Sequence, residues 1–222
     1  MPKRWIIIDF DSTFLKSELL AEFAKKALHH NKKRDELVAQ VAEITKQGME
    51  GTISFSTSLR SRLKLFAATK THLEELVAES KHNVSDSVIR NREFFKTHAT
   101  SIYIISGGFQ EVIVPIVREF GISEDHVRAN SLRYDSKGTI IGVDETNPLS
   151  HDRGKLNVVR SLKLKGEVIV IGDGMTDYEI KASGAAHKFF AFTENVSRPA
   201  VNRKADQVVR NFDEFLYHLK LK

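Results

Sequence analysis

The stretch Ile6-Ile7-Ile8-Asp9-Phe10-Asp11-Ser12-Thr13 runs three β-branched apolar residues straight into two carboxylates. In an extended chain residues two apart share a face, so Asp9 and Asp11 would stand side by side with Phe10 packed the other way. Two such acids repel. The pair becomes tolerable when a divalent cation neutralises it or when one member keeps its proton, and both arrangements serve catalysis. The chain has no cysteine, so a metal would be held by oxygen or imidazole, and hard oxygen ligands favour Mg²⁺ over zinc. Asp173 and Asp177, in Gly172-Asp173-Gly174 and the residues after it, offer further oxygens at the end of another strand. The same two acids would equally serve as a helix cap and a first-turn acid.

Two further features point to an anion. Ser106-Gly107-Gly108 follows an apolar run and is predicted to open a helix, where free backbone N–H groups would cradle phosphate; a plain strand-to-helix turn would also need glycine there. Lys155 follows Gly154 at a predicted helix start, where a cation opposes the helix dipole and therefore calls for a partner anion.

The elements that would position these groups are legible as alternating patterns. Short apolar runs recur at Trp5–Ile8, Ile102–Ile105, Val168–Ile171 and Phe189–Phe192, with helical periodicity between the later ones. That alternation predicts an α/β fold with a Rossmann-like parallel sheet, in which ligands collect beyond the carboxyl ends of the strands. The segment between the first two runs is far longer than one crossover helix requires. Apolar faces at Leu19, Leu20, Phe23, Ala24, Ala27 and Leu28, at Leu37, Val38, Val41 and Ile44, and at Phe55, Leu59, Leu63 and Phe66 predict helices there. A further helix is predicted to start at Thr71, with Thr71-His72-Leu73-Glu74 as a capping box. The expected organisation is a core of residues 1–15 and 83–222 with a small helical cap, residues 16–82, inserted after the first strand. A β excursion around Leu132–Val143 turns at Asp135-Ser136-Lys137-Gly138, and Pro115 should kink the helical pattern Val112–Phe120 or mark its first turn.

At 222 residues with 41% hydrophobic content, the chain can bury a full core. Its net charge of +5 comes from 34 Lys and Arg scattered among 29 acids rather than gathered in a stripe, which argues against nucleic acid as a partner. No run has signal-peptide or membrane-spanning length, so the sequence reads as neither exported nor bound to a membrane, and a cytoplasmic location is expected. Oligomeric state leaves no signature.

The order Asp-x-Asp-x-Thr, Ser-Gly-Gly, Lys and Gly-Asp-Gly-x-x-Asp resembles the haloacid dehalogenase superfamily of phosphohydrolases. Within it, "DFDSTFLKSE", "MEGTISFSTSLRSRL", "IISGGF", "RANSLRYDSKGTIIG" and "VIGDGMTD" resemble the phosphoserine phosphatase family over nearly the whole chain. The resemblance implies a Mg²⁺-dependent hydrolysis of O-phosphoserine, a small-molecule phosphomonoester, through an aspartyl-phosphate. Asp9 would be the nucleophile and Asp11 the general acid and base. Mg²⁺ would rest on the Asp9 carboxylate, the Asp11 main-chain carbonyl and Asp173, with Asp177 supporting from behind. Ser106, Gly107 and Lys155 would hold phosphate, Thr176 would lie near the substrate, Glu18 would meet its ammonium, Arg62 its carboxylate, and Met49 and Phe55 would close an apolar lid. Two departures stand out: "SDSVIRNREFF" replaces an expected Pro-Gly pair, and Leu19 stands where glycine commonly follows the glutamate. The alternatives are another phosphatase or phosphotransferase of the superfamily acting on small metabolites, or a non-catalytic basic binding module.

Overall fold

The computed structural model describes residues 3–220. Ile6, Ile7 and Ile8 are all buried, as a strand covered on both faces requires. They belong to β1 (Arg4–Ile8), which enters a wide turn at Phe10–Phe14, closed by the Leu15 N–H donating to Phe10 O at 2.9 Å. Four helices follow: α1 (Leu19–Ala27), α2 (Arg34–Glu50), α3 (Phe55–Leu63) and α4 (Lys70–Ser80). The chain continues through α5 (Asp86–Arg90), α6 (Arg92–His98), β2 (Ile102–Phe109), α7 (Gln110–Val117), β3 (Val127–Asn130), β4 (Leu132–Tyr134) and β5 (Ile140–Val143). It ends with α8 (Gly154–Ser161), β6 (Glu167–Gly172), α9 (Met175–Ala182), β7 (Lys188–Phe192), α10 (Pro199–Asn202), β8 (Gln207–Val209) and α11 (Phe212–Leu219).

Six strands form one parallel sheet in the order β3-β2-β1-β6-β7-β8, and β4 and β5 form a separate antiparallel pair. Register explains how the site assembles. Ile8 is level with Ile104 on one side and Ile171 on the other, so the residues that follow β1, β2 and β6 leave the sheet at one edge. That edge is also where the strand order reverses around β1, the place where open α/β sheets form a ligand crevice. Alternation sends Ile6 and Ile8 into one apolar layer with Phe10, Phe14, Phe95 and Phe120, and Ile7 into the other with Val170 and Phe189.

Two local expectations are corrected, and a third is narrowed to one of its alternatives. Ser106-Gly107-Gly108 does not open a helix: it stays in β2, whose register against β3 shifts between Ile105 and Phe109, and α7 begins at Gln110. The helix predicted from Thr71 starts two residues earlier. Thr69 caps it, accepting from the His72 N–H, while the His72 ring accepts from the Thr69 N–H at 3.3 Å. Histidine here takes the part usually played by Glu or Gln, which a search for an acidic third residue overlooks. Pro115 lies in the interior of α7 rather than its first turn, and the helix stops two residues later in a tighter turn, Arg118–Phe120.

The first four helices, α1–α4, touch the rest of the chain at two places that matter for the site. Near α4, the β4–β5 pair is tied to them by the Ile140 N–H donating to Ala68 O at 2.8 Å. At the other end, the α2–α3 turn, built on Gly51 in the left-handed region (φ +79°), lies over the sheet edge. Among the described residues no helix is long and apolar enough to cross a membrane.

Candidate active site

Asp9 follows β1 directly, and its N–H donates to Ile171 O at 3.0 Å, pinning the strand end to β6. Its Oδ1 accepts from the Phe10 N–H and from Lys155 Nζ, each at 2.7 Å. Ser12 then adopts a left-handed conformation (φ 54°) that swings the chain toward α1, and Asp11 Oδ1 accepts from the Leu19 N–H at 3.1 Å. The two carboxylates therefore line one pocket with different partners, a lysine for one and a helix N-terminus for the other.

That pocket is walled by Asp9, Asp11, Glu18, Met49, Phe55, Arg62, Ser106, Gly107, Lys155 and Thr176, together with Leu20, Leu59, Gly108 and Phe109. The geometry thus brings together every residue expected to contact substrate. Glu18 accepts from Ser12 Oγ at 2.6 Å. Arg62 is buried, its Nε donating to Ser58 O at 3.2 Å and its Nη1 to Thr45 Oγ1 at 3.1 Å. Ser106 Oγ accepts from the Gly108 N–H at 2.9 Å. Gly107 packs beneath the Phe55 ring, and with the ring in this place a Cβ there would come within 2.5 Å of its edge.

Asp9, Asp173 and Asp177 form a buried acidic trio whose nearest oxygens all lie within 4.8 Å of one another. Lys155 Nζ bridges Asp9 and Asp177, at 2.7 and 2.8 Å. Asp173 accepts from Arg198 Nε at 2.8 Å and from Thr13 Oγ1 at 3.3 Å. With Asp11 and Glu18 the site holds five carboxylates against three cations, Lys155, Arg62 and Arg198. The excess is visible in the ionisation of the acids. Burial, then the charges of Glu18 and Asp9, push the Asp173 carboxyl up to about 7 against the pull of Arg198. Burial and the same two charges hold Asp11 well above the usual carboxylate range, and burial with the Asp9 charge does the same to Asp177. Lys155 moves in the opposite sense: burial disfavours its charge, but Asp177 and Asp9 outweigh that and keep the ammonium firmly protonated. One ammonium shared between carboxylates is well supplied, while the acids are not.

A two-charge negative excess on an all-oxygen donor set suits a hard divalent cation. The trio includes Asp9 and Asp173 from the expected ligand set and adds Asp177; the Asp11 side chain, which is not among the expected ligands, accepts from the Leu19 N–H.

Sequence reasoning missed Arg198 and Thr45, and gave Thr13 a place in a motif without its contact to Asp173. For Arg198 a signal existed: it immediately precedes the helix-opening Pro199, a poor place for a cation by the same dipole argument applied to Lys155. Thr45 offers no such sign, since a lone threonine inside a helix reads as surface or core filler.

Residues 6–180 match the sequence profile of haloacid dehalogenase-like hydrolases. The chain belongs to that family. Haloacid dehalogenase-like relatives include the phosphoserine phosphatase of Drosophila melanogaster, 30% identical over 218 residues covering 95% of this chain and 76% of that protein. The phosphoserine phosphatase of Mus musculus is also 30% identical over 218 residues, covering 97% and 92%. A solved phosphoserine phosphohydrolase-like protein from Francisella tularensis superposes with a TM-score of 0.88 at 30% identity, covering 97% of this chain and 99% of that one. Within the haloacid dehalogenase-like hydrolases the chain is thus a phosphatase, a hydrolase of phosphoric monoesters.

Proposed function

We propose that the chain is a Mg²⁺-dependent phosphoserine phosphatase that passes the phosphoryl group to Asp9 and then to water. The observation that carries this is the placement of Glu18 and Arg62 in the same pocket as Asp9, Asp11, Ser106, Gly107 and Lys155. One acid, one guanidinium and one phosphate-sized polar corner match an ammonium, a carboxylate and a phosphate on a single small molecule. The names of the relatives support the same substrate. In this reading residues 16–82 act as a cap that supplies Glu18, Met49, Phe55 and Arg62 to a core that supplies the rest.

The Asp9 carboxylate attacks phosphorus as the serine ester oxygen departs, and Asp11, half-buried and with its affinity for a proton raised, delivers that proton to the leaving oxygen. Serine leaves, and Asp11, now ionised, takes a proton from the water that attacks the aspartyl-phosphate. Inorganic phosphate is released and both carboxyl groups return to their starting state. Ser106, the Gly107 N–H and Lys155 hold the phosphate oxygens throughout, while Met49 and Phe55 exclude bulk water. Asp9 and Asp173, with the Asp11 main-chain carbonyl, would hold Mg²⁺, and Asp177 would support them; when bound, the ion supplies positive charge against the phosphate oxygens.

Two measurements test the reading. In a phosphate-release panel, L-phosphoserine is expected to exceed sugar phosphates in kcat/KM by about 10²-fold or more, the scale of losing buried charged partners, with activity abolished by EDTA and restored by Mg²⁺. Comparable turnover across the panel would remove the substrate assignment.

The second measurement is thermal melting against pH. A carboxyl raised to about 7 in the folded chain binds a proton there that the unfolded chain has already lost, so stability falls as pH rises from about 4 to 7. Metal-free protein is therefore expected to melt several degrees lower at pH 8 than at pH 5.5, given about 2–4 °C per kcal/mol at this size. Mg²⁺ should raise the melting point far more at pH 8 than at pH 5.5. An equal Mg²⁺ effect at both would place the cation away from these acids.

A further inference from the structure

The α2–α3 turn and α3, residues 49–63, carry Met49, Phe55 and Arg62 over the pocket, and about 20 Å³ of free room remains beneath them. That is space for roughly one water, so a phosphomonoester enters only when this tip lifts. What resets it has an apolar part, Phe55 seated on Gly107 and Met49 against Gly174, and one polar part. The Ser56 N–H donates to Asp152 Oδ1 at 2.8 Å. Among the described residues every hydrogen bond from 49–63 to the chain outside the first four helices ends on this one carboxylate, which the Ser54 and Ser56 hydroxyls reach as well.

Both ends of this tie are built for it. On the cap side, Ser56 is in the first turn of α3, where the N–H groups have no partner within the helix and the dipole favours an anion. The Ser54 and Ser56 hydroxyls and the Arg60 charge act on the same carboxylate, and together with the Ser56 N–H they overcome its partial burial and hold it below the ordinary range. On the core side, Asp152 stands three residues before Lys155, on a loop with little freedom. Arg153 is in the left-handed region (φ 59°), and Gly154 packs so closely that a Cβ would meet Pro148 O at 2.3 Å. The clamp point is thus fixed relative to Lys155.

We propose that Asp152 is a positioning residue whose carboxylate clamps the N-terminus of α3 and so sets Phe55 and Arg62 over the phosphate-binding groups. The part concerning turnover rests on the phosphoserine reading above; the clamp itself does not.

Amide hydrogen exchange of the ligand-free protein reads the clamp directly. In Asp152→Ala, amides of residues 52–58 are expected to exchange about tenfold faster, the scale of one charge-assisted bond, while amides of β1, β2 and β6 keep their rates. Asp152→Asn retains an acceptor oxygen without the charge and should fall between the two. Steady-state kinetics on phosphoserine should then show KM about tenfold higher in Asp152→Ala with kcat within twofold, the mark of lost closure rather than lost chemistry. Unchanged exchange at 52–58 overturns the proposal, and so does an equal fall in kcat and kcat/KM. Faster exchange in a protein that leaves phosphoserine intact would uphold the clamp and sink the substrate reading instead.

Discussion

Asp9→Asn is expected to lower phosphoserine turnover by about 10⁴-fold or more, the scale on which removing a covalent nucleophile acts, while the protein stays folded. The chemical part follows from the role: an amide oxygen is too weak a nucleophile to displace an alkoxide from phosphorus. The structural part follows from what asparagine keeps. Its N–H still donates to Ile171 O, and its amide oxygen can still accept from the Phe10 N–H. Lys155 retains Asp177 at 2.8 Å. The trio also loses one of three mutually repelling carboxylates, which relieves the pressure that raises Asp173 and Asp177. Melting followed by circular dichroism should move by only a few degrees. Turnover above about 1% of wild type would remove Asp9 from the nucleophile's role.

Arg62→Lys is expected to cut kcat/KM for phosphoserine by about 10²-fold, the loss of two charge-assisted bonds, and that for an aryl phosphate by less than threefold. Arg62 is buried, with its Nε held by Ser58 O and its Nη1 by Thr45 Oγ1. Those bonds orient the guanidinium plane and leave its remaining donors for a carboxylate. Lysine has a single ammonium that cannot satisfy Ser58, Thr45 and a bidentate ligand together. An aryl phosphate brings no carboxylate, so it is indifferent to the change. Equal losses on both substrates would place carboxylate recognition elsewhere. Thr45→Val should produce a weaker version of the same selectivity, because it loosens Arg62 without removing its charge.

How much was legible beforehand depends on whether a feature is local. The parallel sheet could be read because Ile6–Ile8, Ile102–Ile105 and Val168–Ile171 each spell out a doubly buried strand in consecutive residues. Asp9 and Asp11 do line one pocket, but through a turn rather than the extended alternation expected of them: β1 ends at Ile8 and the chain turns from Phe10. The end of β2 could not be read: Gly107 looked like the start of a helix, but pairing with β3 and the Phe55 ring above it keep that stretch extended. The helix cap at Thr69 was displaced for a different reason, since His72 substitutes for an acid in a motif usually recognised by composition.

The amino-acid sequence alone determined which chemical groups stand at strand ends and in what order, because strand period, turn residues and dipole-opposed cations are encoded within a few positions of one another. Tertiary structure decided their neighbours and their protonation. Arg198 meets Asp173, Asp152 meets Ser56, and Asp11 comes to rest against the Leu19 N–H, where partial burial and the Glu18 and Asp9 charges raise it. A carboxylate's affinity for a proton is set by the charges and solvent around it in space, and separation along the chain says nothing about either.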